Sequence, residues 1–261
     1  MIVTAALVWY DEHPKDLRAC VRGVAQIADR IVAVDGAYVR YPNAKISSPP
    51  EQAKAIQSAA KRAGLECVIH VPEKLWAGQI EKRSFALAEA SKGTDWIAIV
   101  DTDWIIHADR EAARAELEGY LDDDDVDVVS APLYTPTRKG ATFATNWHRD
   151  VAGASEFMPH LIRPLPDLHV ETRHWWYSAE KHGRRVWLWH GTENTHIPLL
   201  PWYPIKAEYE IEHRFLMRDE EHILAGRAFC NDREIVLAET GQEDDVYGLP
   251  PPDFDFKTIP Y

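Results

Sequence analysis

Two aspartates one residue apart, Asp101 and Asp103, interrupt the apolar run "WIAIVDTDWII" at residues 96–106. An unpaired carboxylate is costly to bury, so such residues either close a strand at a solvated edge or hold something positive. In an extended segment the side chains at i and i+2 point the same way. Asp101 and Asp103 could then present their oxygens together to a hard divalent cation, Mg²⁺ or Mn²⁺, which would in turn neutralise a diphosphate. The plainer use of the same pair is a strand-end Asp capping the next turn beside a solvated neighbour.

The elements around the pair bear on that choice. "IVTAALVWY" (2–10) is a near-continuous apolar run, the pattern of a strand covered on both faces. A helix follows, with Leu17, Val21, Val24 and Ala28 on one stripe and Pro14 in its first turn. Further strands are expected at "RIVAVDG", "LECVIHV", "DWIAIVD" and "VDVVSAPLY". Helices are expected over "EQAKAIQSAAKRAG", "QIEKRSFALAEASKG" and residues 109–120, the last burying Ala113, Leu117 and Tyr120. Strand and helix alternating in this way predict a parallel, helix-covered sheet, and ligands of such sheets bind beyond the carboxyl ends of the strands. Asp35 and the Asp101/Asp103 pair both fall there.

Beyond residue 136 the chain is less regular. "EYEIEHRF" alternates, placing Tyr209, Ile211, His213 and Phe215 on one strand face. Residues 218–239 read as a closing helical segment, the rest as an extended tail, and "LDDDDVD" (121–127) as a solvated turn. With no internal repeat and no convincing linker, one domain spanning 1–261 is expected.

Charge and composition narrow the partners. Lys plus Arg is 29 and Asp plus Glu is 42, a formal net charge of −13, which repels a phosphate backbone and disfavours nucleic acid. No run approaches the roughly 20 apolar residues of a membrane helix, so no span is expected. "MIVTAALVWYDEHP" lacks a basic flank and reads as a first strand, not a signal peptide. Cys20, Cys67 and Cys230 are scattered and form no metal-type pair, which predicts a reduced, cytoplasmic protein.

"VDG" closing a strand, then "EKRSFALAEA" on a helix, then "DWIAIVDTDW" resembles, in order and spacing, the nucleotide-sugar half of a GT-A glycosyltransferase in the style of family 2. The likeness covers roughly residues 2–135 and leaves 136–261 as the acceptor half. It implies a Rossmann-like α/β sheet with helices on both faces and a UDP- or GDP-linked sugar donor. It also implies a Mn²⁺ or Mg²⁺ ion that stabilises the departing diphosphate. Glu12 would match the family's acidic residue after the first strand. Asp35, with Gly36, would contact base or ribose, and Lys82 or Arg83 the base or phosphates. Asp103 would bind the metal directly. Asp101, with Thr102 beside it, would touch ribose or reach the metal through water.

Many GT-A enzymes complete the metal site with a late histidine, for which His213, His196 and His190 are candidates; Arg214 could reach the diphosphate. The family's Asp base has no clear counterpart. Glu171 in "DLHVETRHWW" and Glu156 in "GASEFMP" are the candidates, and a retaining mechanism stays open. Trp175, Trp176, Tyr177, Trp187, Trp189, Trp202 and Tyr203 crowd the acceptor half, where aromatic faces suit sugar rings but also fill cores. Two other classes compete. A haloacid-dehalogenase-type phosphatase also uses Asp-x-Asp at a strand end, but near the N-terminus and with Thr or Val where Ile105 stands. A non-catalytic carbohydrate-binding protein would explain the tryptophans but not the ordered acidic positions.

Overall fold

The structure, a computed structural model, describes residues 1–39, 41, 44–136, 142–143, 156–171, 177–188 and 199–214. The helical segment expected over 218–239, the tail, Phe215 and Cys230 lie outside these residues.

The first part alternates as expected: β1 (Val3–Val8), α1 (Pro14–Val24), β2 (Arg30–Val34), α2 (Pro50–Ala63), β3 (Glu66–His70), α3 (Gln79–Ala90) and β4 (Trp96–Asp101). Then come β5 (Trp104–Ala108), α4 (Arg110–Gly119) and β6 (Val128–Pro136). The later part is made of strands: β7 (Thr142–Phe143), β8 (Glu156–Ile162), β9 (His169–Val170), β10 (Tyr177–Lys181), β11 (Arg184–Trp187), β12 (Trp202–Pro204) and β13 (Tyr209–His213).

Local chemistry sets the boundaries. The His13 side chain accepts from the Lys15 amide ahead of α1, and Pro14 sits where its missing N–H costs nothing. Leu17, Val21 and Val24 are fully buried, as is Ala28 just beyond the helix end. α2 stops at Gly64, which takes the left-handed φ of 75° that glycine adopts readily. Asp109 caps α4 by accepting from Ala112, and Ala113 and Leu117 face the core while Tyr120 falls at the C-cap, half-buried. Every residue of β1 is buried, and each such Leu or Val stabilises the fold by roughly 1.5–3 kcal/mol through burial.

The main sheet runs β3-β2-β1-β4-β8-β6-β13-β5, with β12 and β7 also on β6. Only β3, β2, β1 and β4 form the expected parallel block. β8 is antiparallel to both β4 and β6, β13 is parallel to β6, and β5 is antiparallel to β13. The fully parallel sheet expected from the alternation is therefore corrected to a mixed one. The reason is connection length: β5 starts at Trp104, too soon after Asp101 for the crossover that a parallel neighbour of β4 requires. β5 lies instead at the far end of the order, where the sheet curls back against α1. Gly23 makes that approach possible, since a Cβ there would sit 2.6 Å from the Ile106 amide nitrogen. A second sheet, β11-β10-β9, packs on α3, with the Val170 amide donating to Ser84 Oγ at 3.0 Å.

The result is a mixed α/β architecture with four described helices, Rossmann-like and of GT-A type. No described helix is long and apolar enough to cross a membrane.

Candidate functional site

β1, β2 and β4 are parallel, so their carboxyl ends open on one side of the sheet. At the end of β2, Asp35 is 2% exposed and its carboxylate is held from within the fold. Oδ1 accepts from the Gly36 amide (2.7 Å) and Ser48 Oγ (2.6 Å), and Oδ2 accepts from the Ser48 amide (2.9 Å). Gly36 takes φ +109°, and a Cβ there would meet Pro72 Cγ at 2.5 Å and the Ile46 carbonyl at 2.9 Å, so only glycine fits.

Past the end of β1 the chain turns through Asp11, a non-glycine residue in the left-handed region at φ 50°. Glu12 follows, buried, and its Oε1 accepts from Thr102 Oγ1 at 2.7 Å. The acidic residue after the first strand therefore touches the Asp-x-Asp turn itself.

α3 supplies the two cations expected as alternatives, Lys82 buried and Arg83 half-buried. Lys82, 1% exposed, donates from Nζ to the Trp9 carbonyl (2.6 Å) and the Gly36 carbonyl (2.7 Å), tying the ends of β1 and β2 together. Its ammonium lies 5.3 Å from the centre of the Tyr38 ring. Burial pulls the Lys82 pKa down to about 7, with Asp35 opposing the shift. Arg83 donates from Nη2 to Asp101 Oδ1 at 2.6 Å. Burial alone would weaken this cation, but the Asp101 carboxylate, through its charge and its hydrogen bond, together with Tyr177 and Tyr38, holds the guanidinium above its ordinary pKa. The solvated helix face that these residues could have formed is not what the fold makes of them.

Asp101 ends β4 and Asp103 precedes β5, so the turn between two strands carries the motif. Asp103 Oδ2 faces His213 Nε2 across 3.4 Å, and the Asp103 carbonyl accepts from the Arg214 amide at 2.7 Å. The register of β13 on β5 sets this up, placing His213 opposite Trp104. Arg214 turns its guanidinium to Glu212, with Nε donating to Oε1 at 2.7 Å. The convergence is felt by Cys20, whose Sγ lies 3.6 Å from the Asp101 carbonyl. Burial raises the pKa of that thiol, and the charges of Asp103, Asp101 and Glu12 raise it further.

Sequence reasoning picked out one histidine that the fold brings to the motif, His213; His190 and His196 lie outside the described residues. Among the described residues no group of three or more His, Cys, Asp or Glu side chains is placed to hold a metal. Asp103 and His213 form a pair, and Asp101 is engaged by Arg83.

Glu171 lies just past β9, where Oε1 accepts from Ser178 Oγ at 2.6 Å and lies 3.5 Å from His169 Nε2. The side chain of Glu156 lies outside the described residues, as do Trp175, Trp176 and Trp189. Tyr177 and Trp187 are buried, so they fill core, while Trp202 and Tyr203 are half-buried. Trp202 Nε1 donates to the Leu188 carbonyl at 2.7 Å. Sequence reasoning missed Ser48 and Gln52, which carry no charge and stand in a stretch that reads only as turn followed by helix.

No family model matches the chain, and no curated protein matches it in sequence. Solved structures similar to it at a distance include the following two. One is 4-diphosphocytidyl-2C-methyl-D-erythritolsynthase from Anaerococcus prevotii, 9% identical, with 62% of this chain and 71% of that one covered at a TM-score of 0.35. The other is mannose-1-phosphate geranyltransferase from Thermus thermophilus, 13% identical, with 96% and 68% covered at a TM-score of 0.31.

Proposed function

We propose that the chain is a Mn²⁺- or Mg²⁺-dependent glycosyltransferase that moves a sugar from a UDP- or GDP-linked donor to a hydroxyl-bearing acceptor. The observation that carries this reading is the meeting of Glu12–Thr102, Arg83–Asp101 and Asp103–His213 at one end of the parallel strands. Asp103 offers a hard cation the carboxylate oxygen it prefers, and His213 is assigned as a second, softer ligand on the strength of its distance. Two adjacent ligands at about 2.1 Å from such an ion stand about 3 Å apart, near the 3.4 Å found here. Mg²⁺-type ions commonly take only one or two protein ligands and complete their shell with water and substrate phosphates. Bound there, the cation would supply Lewis-acid stabilisation of the diphosphate leaving group.

The chain's own residues take the remaining roles. Asp101, oriented by Arg83, and Thr102 are assigned to the ribose side of the donor, and Arg214 to the diphosphate. Glu12, Asp35, Gly36 and Lys82 are assigned to support the donor from beneath. Glu171 is assigned as the base that accepts the acceptor hydroxyl's proton. Its neighbour Val170 hydrogen-bonds Ser84, next to Arg83 on α3, which supports a place beside the donor.

Differential scanning fluorimetry with UDP, GDP and their common sugar conjugates, in Mn²⁺ and in EDTA, tests the reading. At a hundredfold excess over its dissociation constant, a bound nucleotide sugar adds about 2.7 kcal/mol of stability. The expected result is a rise in melting temperature with one nucleotide class in Mn²⁺ and none in EDTA; equal stabilisation in EDTA contradicts the metal-bridged site.

A further inference from the structure

Polar groups around the proposed donor site form one continuous chain that reaches back to α2. Asp35 accepts from the amide and hydroxyl of Ser48. Ser48 Oγ in turn accepts from the Asp11 amide at 2.9 Å. Gln52, in the first turn of α2, donates from Nε2 to Asp11 Oδ1 at 3.3 Å, while its Oε1 accepts from the Glu12 amide at 3.0 Å. Glu12 Oε1 then accepts from Thr102, the residue between the two aspartates of the motif. The ends of β2, α2, β1 and β4 are thus linked through Asp35, Ser48, Gln52, Glu12 and Thr102, all nearly inaccessible to water, with Asp11 as the one exposed member. Asp11 keeps its left-handed backbone inside this chain, gripped by Ser48 at its amide and by Gln52 at its carboxylate.

A helix tie-down alone would need neither Glu12 nor Thr102. The chain continues through both and ends on the motif. We infer that this hydrogen-bonded chain is a brace that presets the Asp101–Asp103 turn, with Gln52 and Glu12 as positioning residues acting through Thr102. The role of that turn rests on the transferase reading; the mechanical claim does not. Partners of this outer kind typically change metal affinity by about 10- to 100-fold although they never touch the ion. The turn is a short loop between β4 and β5, so its aim depends on what holds it from the side.

Gln52→Leu removes both Gln52 hydrogen bonds at similar volume, and Thr102→Val removes the hydroxyl while keeping the shape. Leu65→Ala lowers stability through the core at the other end of α2 and serves as the control. Two measurements on the full chain decide. In hydrogen exchange well below melting, Gln52→Leu is expected to speed exchange of the amides at 101–104, whereas Leu65→Ala leaves their rate relative to the rest of the sheet unchanged. In titrations of UDP and GDP with Mn²⁺, Gln52→Leu and Thr102→Val are each expected to weaken binding about tenfold, and the double variant no more than either single one. Thr102→Ser should restore binding to within about twofold, as a retained hydroxyl can keep the link. Unchanged exchange at 101–104 overturns the brace. Faster exchange with unaltered binding, or fully additive losses, overturns its positioning role. A wild-type protein that binds neither nucleotide in Mn²⁺ would refute the transferase reading instead, and the exchange comparison would still decide the brace.

Discussion

Asp35 and Asp103 each follow an apolar strand at the same side of one sheet, yet their surroundings are opposite. Asp35 is sealed in and accepts three hydrogen bonds from Gly36 and Ser48. Asp103, 9% exposed, faces a histidine from the other end of the chain across a gap wider than a hydrogen bond. A carboxylate satisfied by backbone and hydroxyl donors serves the loop that it closes. Asp103 is instead aimed at an imidazole, with Asp101 and Glu12 close enough to act on the same thiol, and on the proposed function this is where the cation would be held. The same residue type at the same topological place is thus met by different partners, and the proposed function gives the two positions different tasks.

That contrast is broken most directly at Asp35. Asp35→Ala leaves the Ser48 amide and hydroxyl and the Gly36 amide to be satisfied elsewhere in a buried site. At about 1–3 kcal/mol for each unsatisfied group, a loss of about 3 kcal/mol is expected after partial relaxation. Urea denaturation measures it; a loss below about 1 kcal/mol, the worth of one ordinary hydrogen bond, would contradict the sealed role.

A smaller effect, graded by pH, is expected at Lys82, which ties the two strand ends together. Its folded pKa, about 7, lies below the unfolded value of 10.5. Between those values the unfolded chain binds the proton and the folded one does not, so the linkage destabilises the fold as pH falls from about 10 to 7. Stability should therefore rise with pH across that window in the wild type, and Lys82→Met should flatten the slope in parallel urea titrations at pH 7.5 and 9.5. An unchanged slope would show that Lys82 titrates normally.

Much of the parallel half was legible because its signals are local. The β1 run, the α1 stripe and the Asp35-Gly36 strand end depend on neighbours within a few residues, and all appear where the pattern places them. The pairing of His213 with Asp103 was legible in part, since alternation in "EYEIEHRF" fixes the face but not which strand lies opposite. The later topology was not legible. Nothing in the β5 sequence says that it pairs with β13, over a hundred residues away, because that pairing is decided by connection length and sheet curl. Ser48 and Gln52 escaped notice for a related reason: their importance comes from partners at Asp35, Asp11 and Glu12, which only the folded chain brings near.

Asp103→Asn is the most direct test of the metal-centred account. It preserves shape, leaves the backbone link to Arg214 intact and removes the charge proposed to hold the cation. Mn²⁺-dependent binding of UDP and GDP, measured by calorimetry on this variant beside the wild type, should weaken by at least about tenfold. The melting temperature should stay within about 2 °C or rise, because a carboxylate kept for function is a local cost to the fold. A variant that melts well below the wild type yet binds nucleotide and Mn²⁺ normally would contradict the account and return Asp103 to the role of a structural cap.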